Sequence, residues 1–363
     1  MHITRLELRQ FRNYEQAELR PCEGVTVLYG NNAQGKTALL EAIVLCCTGR
    51  SHRTSRDKEL IRWGQEAGRV FVQAEKRDGS HEVEMLLSSL RRKTVKVNGS
   101  ALQRTGELMG HVNGVLFAPE DLRMVKDGPA ERRRFIDMEL SQIKPSYYYA
   151  LQHYAHALMQ RNKLLRDIAL KPSLSDMLED WDAQLARYGA AIMRERQAFI
   201  ALISDSAHEN HLEISGGQED LKARYVPSLD AQDEPAQALL KALRVARDVD
   251  IRRGTTSVGP HRDDLTLTLS GMDVRVYGSQ GQQRTTALSL KLAELDIMRR
   301  EIGEWPVLML DDVMSELDPR RRRQLLGRLK GIQTIVTCTD MSDLAEAEIG
   351  AAWRIQNGTI VSE

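Results

Sequence analysis

Net charge is the first thing this chain lacks. Its 363 residues carry 51 lysines and arginines against 51 aspartates and glutamates, so no bulk positive field draws a polyanion to it. Any nucleic-acid contact must then come from a local basic face. Cysteine is scarce as well. Cys22, Cys46, Cys47 and Cys338 form no C-x-x-C pair and have no histidine at metal-ligand spacing, which argues against zinc and against a disulfide framework. Aromatic residues make up only 5% of the chain, which disfavours a base-stacking platform for single strands and favours contact with duplex backbone. No apolar stretch reaches the roughly 18 residues that a membrane helix needs, the longest candidate being broken at Glu41. The start MHITRLELRQF is charged within its first five residues and has no apolar h-region, so no secretory signal is expected. These absences predict a soluble protein of a reducing cytoplasm, with no membrane attachment.

What is present is enough to fold. A composition of 42% apolar and 28% charged residues lies in the ordinary globular class. At roughly 150 residues per domain, the length suggests two units, or one large domain carrying an insertion.

The strongest local signal is VTVLYGNNAQGKTALLEAI. Val25 to Tyr29 reads as a buried strand, Ala38 to Ile43 opens a helix, and between them Gly30, Asn31, Asn32, Ala33, Gln34, Gly35, Lys36 and Thr37 fit G-x-x-x-x-G-K-[ST]. The chemistry asks for these residue types. Glycines let backbone N–H groups curl around phosphate oxygens, and the helix N-terminus adds partial positive charge. Lys36 would reach the β and γ phosphates, and Thr37 would ligate Mg²⁺.

Far downstream, EWPVLMLDDVMSELDPRRRRQLL presents a buried strand, Val307 to Leu310, ending in Asp311 and Asp312. An acid at the carboxyl end of a parallel strand can hold the Mg²⁺ of a P-loop nucleotide. Both ends of the chain must therefore meet in one nucleotide-binding domain, with the middle inserted. A third signal is YGSQGQQRTTALSLKLAEL, in which the polar loop Gly278-Ser279-Gln280-Gly281-Gln282 precedes a helix from Arg284 onward with an apolar stripe at Ala287, Leu288, Leu290 and Leu292. This second helix N-terminus is either a structural turn or another anion site, the latter redundant within one domain unless it faces a nucleotide bound by a second copy.

Between these signals Val70, Val72 and Ala74, then Val83, Met85 and Leu87, then Val95 and Val97, alternate as in an antiparallel meander. From Ser146 to Ala246 the pattern is helical. Leu178, Trp181, Leu185, Tyr188, Ile192, Phe199 and Leu202 keep heptad spacing with a polar slot at Glu195, which predicts a short antiparallel arm. Leu265, Leu267 and Leu269, then Val274 and Val276, read as a hairpin around Ser270-Gly271. Basic clusters occur at Arg53 and Arg56, Arg91 and Arg92, Arg132 to Arg134, and Arg320 to Arg323; each is either a solvated surface or part of a phosphate-binding face.

The order of P-loop, S-x-G-Q loop and D-D acids followed by S-E-L-D resembles an ABC-type ATPase head of the SMC and Rad50 class. The segments LELRQFRNYE, FAPEDLRMVKDGPAERRRFID, RNKLL, GPHRDDL and YGSQGQQR resemble, within it, the RecF family of bacterial recombination mediators. The resemblance implies an α/β fold: a parallel-sheet core with an antiparallel β-lobe, forming a discontinuous head at 1–140 and 247–363, and an inserted helical arm at 141–246. It also implies roles. Asp311 would be the magnesium-holding acid, and Asp312 would stand where most such ATPases carry glutamate. Arg12 and Asn13 would contact adenine or ribose. Ser279, Gly281 and Gln282 would cap the γ-phosphate across a dimer interface, and Asp318 would be the D-loop acid. In place of a switch histidine, TIVTCTD offers Thr337 or Thr339.

The implied function is a weak, DNA-dependent ATPase switch using ATP and Mg²⁺. It would dimerise on ATP at gapped or double-stranded–single-stranded junctions and act with RecR and RecO to help load RecA in gap repair, replication restart and SOS induction. Another SMC-like head is an alternative. A P-loop metabolite kinase is a remoter one, needing an acceptor-binding lid and leaving the S-x-G-Q loop unexplained.

Overall fold

The β-branched run Val25–Tyr29 becomes a buried strand, and around it a six-stranded sheet forms in the order Thr359–Val361, Ile349–Gln356, Val25–Tyr29, Thr334–Cys338, Val307–Asp311, Gly114–Phe117. Its strands run parallel except at the edge hairpin of Ile349–Gln356 with Thr359–Val361. The all-buried sequences VTVLY, VLMLD and TIVTC suit strands covered on both faces. This computed structural model describes residues 1–229, 234–344 and 347–361, so positions 230–233 of the expected arm, and 345–346 and 362–363 of the expected head, lie outside the described residues.

The chain divides into two compact units, Met1–Leu122 with Glu213–Gly217 and Ala287–Glu363, and Arg123–Leu212 with Gln218–Thr286. The bounds expected at 140 and 246 fall inside helices Pro129–Ile143 and Pro235–Arg253.

In the first unit a second sheet is antiparallel throughout, in the order Tyr14–Leu19, His2–Phe11, Ala67–Lys76, Gly79–Ser88, Thr94–Val97, Ser100–Ala101. The alternating valines point to its buried face, as their period of two requires. The P-loop helix Lys36–Thr48 shares one core with both sheets: Leu39, Ile43 and Leu45 cluster with Leu6 and Leu8 of the lobe and with Met309 and Ile335 of the parallel sheet. Gly49, in the left-handed region at φ 70°, ends this helix by donating its N–H to the Leu45 carbonyl.

The second unit holds the helices Pro129–Ile143, Pro145–Leu170 and Pro235–Arg253 and most of Leu178–Ser215. Lys144 Nζ meets Glu195 Oε2 at 2.7 Å and Arg161 Nε meets Asp182 Oδ1 at 2.6 Å, so the two long helices run antiparallel. Two expectations are corrected here. Leu221–Val226, inside the stretch expected to be helical, is a strand whose Leu221, Ala223 and Tyr225 face inward; it pairs with Asp264–Leu269 in a small sheet completed by Met272–Asp273. Val274 and Val276 lie in a helical turn, Val274–Tyr277, because the Asp273 carboxylate accepts from the Arg275 and Val276 N–H groups; that cap outweighs the strand preference of two valines.

Candidate functional site

Strand register brings the distant motifs together. Val25–Tyr29, Thr334–Cys338 and Val307–Asp311 are neighbours, with Tyr29 opposite Cys338 and Asp311 opposite Thr337, so the P-loop and the paired acids leave the sheet at one edge. Thr37 Oγ1 donates to Asp311 Oδ1 at 3.0 Å across 274 positions of chain. Thr337 Oγ1 donates to the same oxygen at 2.7 Å and accepts from the Asp312 N–H at 2.9 Å. One buried hydroxyl thus positions both acids. Of the two residues offered as a switch, Thr337 is committed to the acids, and Thr339 is the one with an exposed side chain.

Burial pushes the Asp311 carboxyl upward; the Thr337 and Thr37 hydroxyls oppose this, and the net shift is up. A carboxylate held against its desolvation cost, with a threonine hydroxyl beside it, is an all-oxygen donor pair that suits Mg²⁺. Asp312 sits at φ 52°, a left-handed conformation unusual for a non-glycine residue, with its carbonyl accepting from Ser315 Oγ at 2.9 Å. Its side chain lines the same cleft as the P-loop.

The loop is braced on three sides. Lys36 Nζ donates to the carbonyls of Gly30 (2.7 Å) and Asn31 (3.1 Å). Asn13 Nδ2 donates to the Gln34 carbonyl at 2.8 Å, and the Tyr14 hydroxyl donates to that of Gly35 at 3.1 Å. The C-terminal hairpin turn adds the Asn357 N–H on Gln34 Oε1 (2.7 Å) and the Gly358 N–H on the Gln34 carbonyl (3.0 Å). Two glycines are obligatory: at φ 146° a Cβ on Gly30 would lie 2.4 Å from the Ile355 carbonyl oxygen, and at φ 117° one on Gly35 would lie 2.6 Å from Asn13 Nδ2. Asn31, Asn32 and Ala33 are exposed, leaving the outer curve of the loop open to a ligand.

Arg12 lines the cleft, yet its guanidinium is bidentate to the buried Glu41, with Nε at 2.8 Å and Nη2 at 2.6 Å, and Nη1 donates to the Glu59 carbonyl. Glu41 responds. Burial alone would raise its pKa, but the hydrogen bonds of Arg12 and Ser51 and the charge of Arg12 outweigh it and the net shift is down. Glu41, read in the sequence only as an interruption of an apolar run, is the anchor of the Arg12 segment. Tyr14 and the Asn357-Gly358 turn also carried no sequence signal, since each acts through a contact made by folding.

Asp318 caps the helix Pro319–Arg328 by accepting from the Arg320 and Arg321 N–H groups. Ser279, Gly281 and Gln282 belong to the second unit, where the helix begins at Gln280, earlier than expected. Ser279 Oγ accepts from the Gln282 N–H (3.3 Å) while Gln282 Oε1 accepts from the Ser279 N–H (2.8 Å), a reciprocal capping box that starts the helix there. Gln282 Nε2 further donates to Glu219. The basic cluster at 132–134 is largely structural: Arg132 is buried and bidentate to Asp264, and Arg133 donates to the Asp263 carbonyl. Arg91 and Arg92 remain exposed.

Fold and site together define a class, the P-loop ATPase head of ABC and SMC type: a parallel sheet carrying the P-loop and its acids, with an antiparallel lobe packed on the same helix. The RecF/RecN/SMC N-terminal domain family matches residues 2–360. Within it the chain belongs to the RecF family. It is 44% identical over 345 residues to the DNA replication and repair protein RecF of Acetivibrio thermocellus, covering 94% of each chain, and 42% identical to that of Lachnospira eligens, covering 100% of each. Among solved structures it resembles the recombination mediator protein RecF with ATP, of the RecFOR pathway, at 38% identity and a TM-score of 0.93, covering 99% of this chain and 97% of that one. A Pyrococcus furiosus Smc head shares the fold at 18% identity, a TM-score of 0.59, and 100% and 96% coverage.

Proposed function

We propose that this protein is an ATP-driven switch that binds DNA as a recombination mediator. The observation that carries the reading is the Thr37–Asp311 hydrogen bond, which unites a P-loop hydroxyl with a strand-end acid. Lys36 and the loop's N–H groups would bind the phosphates of ATP, and Thr37 and Asp311 would hold Mg²⁺, which when bound neutralises charge on the phosphates. Asp312 would orient the attacking water. Being one methylene shorter than glutamate it does so less well, which makes hydrolysis slow and ATP more a glue than a fuel. Ser279, Gly281 and Gln282, with Asp318, would complete the site of a second copy, so that ATP drives dimerisation.

By its likeness to RecF proteins, the chain would work in the cytoplasm at gapped or double-stranded–single-stranded DNA with RecR and RecO, with RecA loading, replication restart and SOS induction as outcomes. The stretch from 141 to 246 would serve as its helical arm. Sedimentation with and without ATP and duplex DNA tests the reading. Wild-type protein should be monomeric alone and dimeric with ATP, and Lys36→Met should stay monomeric; an ATP-dependent dimer in Lys36→Met would refute the P-loop assignment.

A further inference from the structure

Two segments that stand out in the sequence have no place in the nucleotide site, RNKLL at 161–165 and GPHRDDL at 259–265. Both belong to the second unit, and both converge on Thr256. Arg161 Nη1 donates to the buried Thr256 Oγ1 at 2.9 Å, and that hydroxyl and the Thr256 N–H donate to Asn162 Oδ1 at 2.7 and 2.8 Å. From the other side Arg262 Nη2 donates to the Thr256 carbonyl at 3.0 Å, and His261 Nε2 lies at the same distance from it. Burial pushes the His261 pKa down to about 4, so the ring is neutral. Because a carbonyl only accepts, Nε2 carries the proton and Nδ1 accepts from the Tyr154 hydroxyl at 2.7 Å. The carboxylate and the carbonyl of Asp250 take the N–H groups of Ser257 (3.0 Å) and Thr255 (3.3 Å), and the Gly254 N–H donates to the Ile251 carbonyl. The loop from Gly254 to Ser257 is thus fastened at every residue. A buried arginine among carboxylates costs desolvation and is a poor source of stability in itself, so its use to hold a surface loop points to a loop whose shape matters.

Five exposed cations surround this loop. Arg252 and Arg253 lead into it, and at φ 64° Gly254 passes so close to Arg166 that a Cβ would lie 2.9 Å from its Cγ. Lys163 stands one turn before Arg166 on the same helix, and Arg262 is bonded to Thr256. Lys163, Arg166, Arg252 and Arg253 have no ion-pair partner among the described residues. The two helices that carry these four expose only two acids, Asp167 and Asp248, so the excess is local in a chain whose total charge is zero. The stretch RRGTTS has no apolar side chain to form the dry centre of a protein interface, whereas hydroxyls beside arginines suit phosphate oxygens. Resting on the reading of the chain as a DNA-binding protein, we propose that this loop and its five cations are a contact for the phosphate backbone of double-stranded DNA. A fixed loop presents its cations at a constant spacing, so less freedom is lost when phosphates are met. The contact neutralises charge without touching base edges and is therefore indifferent to sequence.

Fluorescence anisotropy of a labelled duplex, titrated at several salt concentrations with ATP and Mg²⁺ present, tests the assignment. Arg252→Gln combined with Arg253→Gln should weaken duplex binding about ten- to hundredfold at about 0.1 M salt. It should also lower the slope of log affinity against log salt by about 2, roughly one for each lost phosphate contact. Arg252→Lys combined with Arg253→Lys should keep most of the affinity and of the slope. ATP affinity and melting temperature should stay at their wild-type values in both double variants, since neither arginine has an ion-pair partner to lose. Wild-type duplex affinity and slope in the glutamine variant would overturn the proposal, leave the DNA reading standing, and turn the patch toward an acidic protein. A loss equal in the glutamine and lysine variants would overturn it too, because packing rather than charge would then be at work. Wild-type protein with no affinity for the duplex would overturn the DNA reading itself, and this contact with it.

Discussion

Asp312 and Glu41 show how differently two acids near one cleft are used. Asp312 is part of a backbone arrangement in which its N–H, not its carboxylate, is bonded to Thr337, so its side chain is available to the cleft it lines. Asp312→Asn should keep ATP and Mg²⁺ binding through Asp311 and slow hydrolysis by about 10²-fold, the lower end of what general-base catalysis supplies, with dimer accumulating on DNA. Phosphate-release assays giving wild-type turnover would send the search for the base elsewhere. Glu41 is structural. Its folded-state pKa lies below the ordinary glutamate value, so the Arg12 pair adds stability that is full above the unfolded pKa of about 4.3 and drains away as pH falls through the lower folded value. Glu41→Gln should therefore lower the melting temperature at neutral pH and flatten its decline on acidification. An unchanged acid profile in thermal melts would mean that other carboxylates carry it.

At the level of elements, capping and buried ion pairs decide what hydrophobic pattern leaves open. The helix from Gln280 is buried all round along Thr285–Leu295, so its start cannot be read from an apolar stripe; the Ser279–Gln282 box sets it. In the second unit, Arg161 is fully buried among Asp182 (2.6 Å), Asp250 (2.8 Å) and Thr256 (2.9 Å), joining the two long helices to the helix Pro235–Arg253. Arg161→Met leaves Asp250 without its cation and Asp182 with Arg247 at 3.3 Å, and should cost about 3–5 kcal/mol, seen in denaturant titrations of the full chain. The triple variant that also carries Asp182→Leu and Asp250→Leu should recover much of that loss, because removing the buried guanidinium with both carboxylates also removes their desolvation cost. A triple variant no more stable than the single one would show that the network does more than neutralise itself.

For the molecule as a whole, the composite-site reading makes a prediction that no single chain can satisfy. Ser279→Arg should leave ATP binding by the monomer nearly intact while placing bulk and charge where two copies must close. Mixed with Lys36→Met, it puts both lesions in one site of a mixed dimer and leaves the other whole, so part of the ATPase activity should return. Activity followed across mixing ratios with no recovery, together with full activity of Ser279→Arg alone, would replace the dimer with a self-sufficient monomer.

What the sequence determined by itself is everything whose physics is local. The P-loop is contiguous, its glycines, lysine and threonine lie within one turn between a strand and a helix, and the valine alternation of the lobe marks its buried face without reference to anything distant. Even the meeting of Thr37 with Asp311 was legible, since a P-loop hydroxyl and a strand-end acid expected to share one metal ion must lie side by side. The tertiary structure alone decided which side chains are spent on the protein itself. Arg132 and Arg12 look in sequence like cations for a ligand, and only folding reveals that Asp264 and Glu41 hold them. Thr337 is one threonine among several until the pairing of Asp311 with Thr337 puts its hydroxyl between the two acids. The reason is common to all three: a hydrogen bond between residues far apart in the chain depends on strand register and helix packing, which leave no periodic trace at either partner.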